Sequence, residues 1–247
     1  MNRRSLFCLA GAATLNLAMS APGRAERPEC EVPPELSETS LKLPHLAERL
    51  GARQPVNIVA IGGASTKGAA AGAADLAYPH RLQLALAGYY PDAPIAVVNK
   101  GVPRQSTQQM VERFPTDVIA EDPILVVWEA GISDAVRGIE IDDFAAALQA
   151  GIDEVKNRAI DIMLVDMQFS RRTSTVINFE QYLRALHRVG DLNEVYVFPR
   201  FEMMRYWTEQ NMFNFDDVAE DERARLAAKV YDCIGRKLAQ VIRTAVR

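Results

Sequence analysis

The residues best suited to chemistry lie in a glycine-rich turn that follows an apolar run, Val56–Ile61. Positions 62–68 read Gly-Gly-Ala-Ser-Thr-Lys-Gly, so the turn offers two hydroxyl groups, those of Ser65 and Thr66. A serine attacks a carbonyl carbon only when a base lies within about 3 Å to take its proton. The chemistry that this turn could support is therefore acyl transfer, provided that a histidine or equivalent base joins it.

Three later segments also carry polar residues, and two of them contain glycine. Positions 99–107 read Asn-Lys-Gly-Val-Pro-Arg-Gln-Ser-Thr, and positions 129–138 read Glu-Ala-Gly-Ile-Ser-Asp-Ala-Val-Arg-Gly. Positions 213–220 read Phe-Asn-Phe-Asp-Asp-Val-Ala-Glu. In this order, over about residues 54–245, the segments resemble the four blocks of the SGNH (GDSL-type) hydrolases. Those blocks are Gly-Asp-Ser-x-Thr-x-Gly, Asn-x-Gly-x-x-Gly-x-Thr, Gly-x-Asn-Asp and Asp-x-x-His.

The resemblance places other residues where that family has its reactive groups. The nucleophile position falls on Ala64, and the glycine whose N–H binds the oxyanion falls on Arg104. Ser133 replaces the asparagine of the third block. Asp216 matches the acid of the fourth block, but the histidine position then falls on Ala219, and aligning on the next aspartate moves it to a glutamate.

The sequence therefore predicts a member of this family that has lost ordinary ester hydrolysis. No histidine follows His187. Losing the serine or the histidine of such a unit costs roughly a million-fold in rate, and one oxyanion donor roughly 100- to 1,000-fold. Two alternatives stay open. Ser65 could act with a nonstandard base, for which only His80 comes near in sequence, or the protein could be an envelope scaffold or assembly factor. His45 and His187 are expected to be structural.

The strand ends could still form a binding site for a small anionic, acyl or carbohydrate ligand. Arginine suits carboxylates and phosphates because its planar fork binds two oxygens at once, so Arg104 is the expected anchor. The alternative is that Arg104 pairs with Glu129 or Asp134 and closes the pocket. The proposed ligand-binding residues are Ser65, Thr66, Arg104, Ser133 and Asp134. The segment Phe201–Trp207 has aromatic and methionine residues at helical spacing and is expected to pack beneath this pocket.

The amino terminus is typical of a secretory signal over residues 1–25. Arg3 and Arg4 precede an apolar run, and small residues surround a cleavage point after Ala25. The route could be Sec or, given the paired arginines, twin-arginine export. Removing Arg3, Arg4 and Arg24 from 28 basic residues against 32 acidic ones leaves a net charge of −7. This balance argues against a nucleic-acid partner, and the apolar run is short for a membrane span. We expect a periplasmic or secreted protein without a cofactor or metal.

Two of the three cysteines, Cys30 and Cys233, lie beyond the predicted signal. An even number in an oxidising compartment favours a disulfide, which would join the N-terminal arm to the last helix. Closing so long a loop contributes on the order of 4–5 kcal/mol in the chain-entropy account.

Apolar runs of strand length alternate with segments of helical period, which predicts a mostly parallel sheet with helices on both faces. The predicted strands are Val56–Ile61, Ile95–Asn99, Ile124–Trp128, Ile160–Val165 and Glu194–Phe198. The predicted helices are Tyr78–Ala87, Thr107–Phe114, Ile141–Asn157, Asn178–Arg188 and Glu220–Val246. The expected fold is a three-layer α/β/α sandwich with a five-stranded sheet, SGNH hydrolase- or flavodoxin-like. The expected organisation is a signal peptide (1–25), an arm with a short helix (26–53) and one domain (54–247).

Overall fold

The structure is a computed structural model that describes residues 30–213 and 218–247. The predicted signal peptide and Asp216 lie outside these described residues. Both assignments therefore stay predictions.

Five parallel strands form one sheet in the order β2-β1-β3-β4-β5. Their bounds are Val56–Gly62 (β1), Ile95–Gly101 (β2), Leu125–Glu129 (β3), Asp161–Val165 (β4) and Tyr196–Phe198 (β5). Because all five strands run the same way, their carboxyl ends lie along one edge, where ligands bind in open α/β sheets. The predicted fold class is confirmed.

Helices connect the strands and cover both faces of the sheet. The α-helices are Pro44–Gly51 (α1), Ala64–Lys67 (α2), Tyr78–Tyr89 (α3), Thr107–Glu112 (α4), Phe114–Asp117 (α5), Ile132–Arg137 (α6), Ile141–Lys156 (α7), Arg171–Ser174 (α8), Phe179–Leu192 (α9), Arg200–Glu209 (α10) and Glu220–Ala245 (α11). Short 3₁₀ turns span Pro34–Leu36, Ala74–Leu76 and Ile119–Glu121.

The predicted elements agree with these bounds to within a few residues, and the differences have local causes. The predicted helix Thr107–Phe114 ends at Glu112, and Pro115 lies in the first turn of the separate α5, where its missing N–H breaks no helical bond. The aromatic segment after the fifth strand forms α10, with Met203 and Trp207 fully buried.

Successive residues of the central strands belong to two different cores. Ile58 and Val127 pack with α3, α10 and α11, whereas Val59 and Trp128 pack with α4, α7 and α9. This alternation follows from the two-residue period of a strand. The central strands are therefore buried on both faces, which explains why they read as continuous apolar runs.

The arm before the first strand packs into the same core as the domain. Leu43, Leu46 and Leu50 are buried against the α11 side of the sheet. The backbone N–H of Leu46 donates to Asp161 Oδ2 at 2.8 Å, which satisfies one free donor at the start of α1. Cys30 is bonded to Cys233 of α11 across 203 residues of sequence.

We predict that removing this bond destabilises the protein without changing its fold. The Cys30→Ala/Cys233→Ala variant of the chain from residue 26 should lose on the order of 5 kcal/mol of unfolding free energy, because its unfolded state regains loop freedom. Guanidinium unfolding with and without dithiothreitol measures the difference, and the reductant should leave the variant unchanged. Equal unfolding free energies for both proteins, or free thiols in the unfolded unreduced chain, would contradict the prediction.

Candidate functional site

The glycine-rich turn leads from β1 directly into the single-turn helix α2. Ala64 is the first helical residue and is exposed, while Ser65 is only 5% exposed. Gly62 has no room for a side chain, since a Cβ there would lie 2.2 Å from Thr66 Oγ1. The turn thus presents the Ala64 methyl group to solvent and directs the Ser65 hydroxyl inward.

The second block holds this turn in place. Asn99 Nδ2 donates to the Thr66 carbonyl at 2.6 Å, and Asn99 Oδ1 accepts from the Gly101 N–H at 2.9 Å. A Cβ on Gly101 would lie 2.2 Å from the backbone nitrogen of Lys67. The asparagine and glycine of this block therefore fix the position of α2 through close backbone contact.

The hydrogen bond that the Ser65 hydroxyl makes inside the protein goes to an amide, which is not a base. Its Oγ donates to Gln168 Oε1 at 2.7 Å. An amide oxygen accepts a hydrogen bond but does not take a proton at neutral pH. Ser65 therefore has a partner that orients it without activating it.

A buried ion pair lies directly behind the turn. Arg200 Nη2 is 3.1 Å from Glu129 Oε1, and both side chains are 2% exposed. Glu129 Oε2 accepts from the Thr66 N–H at 3.0 Å and from Thr66 Oγ1 at 2.5 Å. The Tyr78 hydroxyl completes the cluster, 2.9 Å from Thr66 Oγ1. Thr66 is thus a structural anchor that joins the turn to the end of β3.

The remaining predicted residues lie elsewhere on the same edge. Asp134 is buried and accepts from the N–H and hydroxyl of Thr107, at 3.1 and 2.8 Å, so it stabilises the start of α4. Burial raises the pKa of Asp134, against the effect of these hydrogen bonds. Ser133 is half-buried on α6.

Arg104 adopts the left-handed backbone conformation, with φ at 67°, and its side chain is exposed. The SGNH family has glycine at the position that aligns with Arg104, and glycine adopts this backbone conformation more readily than any other residue. The alternative that Arg104 pairs with Glu129 or Asp134 is wrong, since Arg200 and Thr107 occupy those carboxylates. The Arg104 carbonyl accepts from Arg137 Nη2 at 2.5 Å, which holds the loop against α6.

The histidines do not converge on Ser65. His187 Nε2 is 3.1 Å from Asp166 Oδ2, and this hydrogen bond raises the pKa of His187. Asp166 also accepts from the Phe201 N–H at 2.7 Å, and its burial raises its own pKa. The pair therefore ties α9 to α10. His80 and His45 are half-buried, on α3 and α1.

A cavity of about 230 Å³ opens beside Ser65, between α10, α11 and the loop after β4. Its polar lining comes from Ser65, Tyr78, Gln168, Ser170, Arg200 and Tyr231, and its apolar lining from Ala70, Phe169, Met204, Ala227, Val230 and Ile234. Of the five proposed ligand-binding residues, only Ser65 lines it.

Sequence reasoning missed Arg200, Tyr78 and Tyr231 in this cavity. Arg200 follows the fifth strand at the carboxyl edge of the sheet, where ligands bind in such folds, so its position in the sequence could have identified it as a site residue. Tyr231 lies on the long helix α11, and the apolar stripe of that helix does not indicate that the Tyr231 hydroxyl belongs to a cavity.

Within residues 30–213 and 218–247, no group of three or more histidine, cysteine or acidic side chains could hold a metal ion. Nor does any helix in those ranges have the length and apolarity needed to cross a bilayer.

We predict that Arg200→Met destabilises the protein by about 3–5 kcal/mol, because it leaves the Glu129 carboxylate buried without a counter-charge. The double variant Glu129→Gln/Arg200→Met should recover much of this loss, since no buried charge remains. Urea unfolding of the four members of this cycle gives the coupling free energy. Additive losses in the two single variants would show that the ion pair is not coupled.

Comparison with solved structures supports the same fold. An acetylxylan esterase from Geobacillus stearothermophilus is 19% identical, with 76% of this chain and 94% of that chain covered and a TM-score of 0.58. A protein assigned to the G-D-S-L lipolytic family from Desulfitobacterium hafniense DCB-2 is 20% identical, with 75% and 99% covered and a TM-score of 0.60. A two-domain esterase active on acetylated mannans, crystallised with mannopentaose, is 17% identical, with 85% and 56% covered and a TM-score of 0.62.

No curated protein matches the chain in sequence. The sequence profile of the Non-GDSL lipase-like family, however, matches residues 29–247. That range includes every described strand and helix, together with the glycine-rich turn at residues 62–68. The five-stranded sandwich fold and this match lead to one assignment: the chain belongs to the Non-GDSL lipase-like family.

Proposed function

We propose that this protein binds a small ligand at the strand-end edge and does not carry out the ester hydrolysis typical of its fold. The proposal rests on the two side chains at the start of α2, Ala64 and Ser65. An exposed methyl group stands at the nucleophile position, and the neighbouring Ser65 hydroxyl is hydrogen-bonded to Gln168 at 2.7 Å. Acyl transfer needs an attacking oxygen and a proton acceptor at one place, and the described residues supply neither there.

The ligand class that fits this proposal is acyl or carbohydrate. Two structural relatives act, by their descriptions, on acetylated polysaccharides, and the cavity beside Ser65 combines hydroxyl and amide groups with apolar walls. Arg104 is a less suitable anchor than its sequence position indicates, because its exposed side chain does not line this cavity.

Catalysis through Ser65 is the competing activity, and an assay of p-nitrophenyl acetate hydrolysis separates the two. We predict a rate for the wild-type protein that equals the rate of Ser65→Ala and of heat-denatured protein. Ala64→Ser should also be inactive, because it restores the attacking oxygen without a base, and losing the base alone costs roughly a million-fold. A robust wild-type rate that disappears in Ser65→Ala would overturn the proposal.

We also propose that the protein is exported and that its signal is removed after Ala25. The Cys30–Cys233 disulfide supports an oxidising compartment. N-terminal sequencing of protein recovered from the periplasm or medium should begin at Glu26, and Arg3→Lys/Arg4→Lys should block export only if the route is twin-arginine. Retention of the full-length chain in the cytoplasm would contradict export.

A further inference from the structure

The cavity beside Ser65 is separate from the position where the family's reactive centre would lie. Ala64, Arg104 and Ser133 occupy the positions of the nucleophile and the oxyanion donors, and none of them lines the cavity. Ser65 and Tyr231, both buried, line the cavity instead. A ligand in this cavity would contact Ser65, the residue after Ala64, on the side of the sheet that α10 and α11 cover.

The walls of the cavity suit a hydrocarbon chain. Met204, Ala227, Val230 and Ile234 come from α10 and α11, and Phe169 comes from the loop after β4. An engineered apolar cavity of about 150 Å³ holds benzene, so by proportion the 230 Å³ here holds about nine non-hydrogen atoms. A sugar of that size would leave most of its hydroxyl groups unpaired against such walls, which is unfavourable because each unpaired group loses its hydrogen bonds to water.

Two side chains that line the cavity, Gln168 and Arg200, have hydrogen-bond donors that the described hydrogen bonds do not use. The amide of Gln168 uses its oxygen to accept from Ser65, which leaves its NH₂ group available. Arg200 is 2% exposed, and its Nε has no hydrogen-bond partner in the structure. A buried donor without a partner is rare and unfavourable, so Arg200 indicates that the ligand carries an acceptor oxygen. The half-buried Gln168 has a second donor for that oxygen.

The surrounding charges favour an uncharged acceptor. Arg200 is already neutralised by Glu129 at 3.1 Å. Burial raises the pKa of both Tyr78 and Tyr231, and the Glu129 carboxylate raises it further, by more than the Arg200 guanidinium lowers it. A carboxylate placed among these hydroxyl groups would meet the same repulsion, whereas a carbonyl oxygen carries no net charge.

From these contacts we infer that the cavity binds one uncharged acyl compound, an aliphatic chain that ends in an ester or amide carbonyl. The chain packs against Met204, Val230 and Ile234, and the carbonyl oxygen accepts from Gln168 or Arg200. This inference rests on the proposed function, binding without turnover, and names the ligand class.

Heptanamide tests the inference, because it matches the cavity in size and resists hydrolysis. In calorimetry with the disulfide-bonded mature protein, we expect a dissociation constant on the order of 1 mM or tighter. Heptanoate, its charged counterpart, should bind at least about tenfold more weakly, a difference of about 1.4 kcal/mol. Xylose serves as the hydrophilic probe and should not compete with heptanamide.

Two variants locate the binding. Ala227→Leu fills the cavity from α11 and should weaken heptanamide binding at least about tenfold, while Ala228→Leu, on the same helix but outside the cavity lining, should bind like the wild type. Gln168→Leu, in the half-exposed loop, removes one donor without adding bulk to the core and should weaken binding about fivefold. It keeps the test valid if Ala227→Leu fails to fold.

Heptanoate binding as tightly as heptanamide, or heptanamide binding that survives both cavity variants, would overturn the inference. Failure to bind heptanamide at about 10 mM would do the same. These failures differ from failure of the proposed function: sugar binding without hydrolysis would reject only the acyl class, whereas ester hydrolysis that depends on Ser65 would reject binding without turnover.

Discussion

The structure depends on one buried ion pair, that of Glu129 and Arg200. A buried charge is tolerated only when a counter-charge and further hydrogen bonds replace its water, and here Thr66 gives Glu129 two of those bonds. The carboxylate lies at the end of β3, the guanidinium at the start of α10 and the threonine in α2. The pair therefore joins three separate segments at the carboxyl edge of the sheet, and it sets the orientation of the turn that follows β1.

Close backbone contacts also hold the turn in its position. Gly62 and Gly101 are required by backbone contacts that a Cβ would prevent, and Asn99 holds the Thr66 carbonyl. These groups shape the turn whether or not a nucleophile stands on it. The Ala64 side chain is exposed and takes no part in these contacts, so the position of α2 does not depend on it.

The buried pair also determines what the adjacent cavity can accept. Since Glu129 and Arg200 cancel each other, the cavity offers hydrogen-bond donors without net positive charge, beside apolar walls from α10 and α11. Arg104, the cation that the sequence offered as a ligand anchor, lies outside the cavity lining. Charge counted along a sequence is therefore a poor guide to the charge that a ligand experiences, because pairing happens between distant segments.

The sequence by itself determined the layers of the fold. Continuous apolar runs such as Val56–Ile61 fit only strands buried on both faces, and the stripe on α11 fits only a helix with one covered side. The resemblance in sequence predicts that Ala64 stands at the nucleophile position, and the cysteine count favoured the Cys30–Cys233 bond. Only the tertiary structure decided the partners of the polar residues: Arg200 with Glu129, Ser65 with Gln168, and Asp166 with His187. Local periodicity indicates which face of a helix or strand is buried. Hydrogen bonds and ion pairs, by contrast, join residues far apart in sequence, and the distances between their atoms are fixed only when the elements pack.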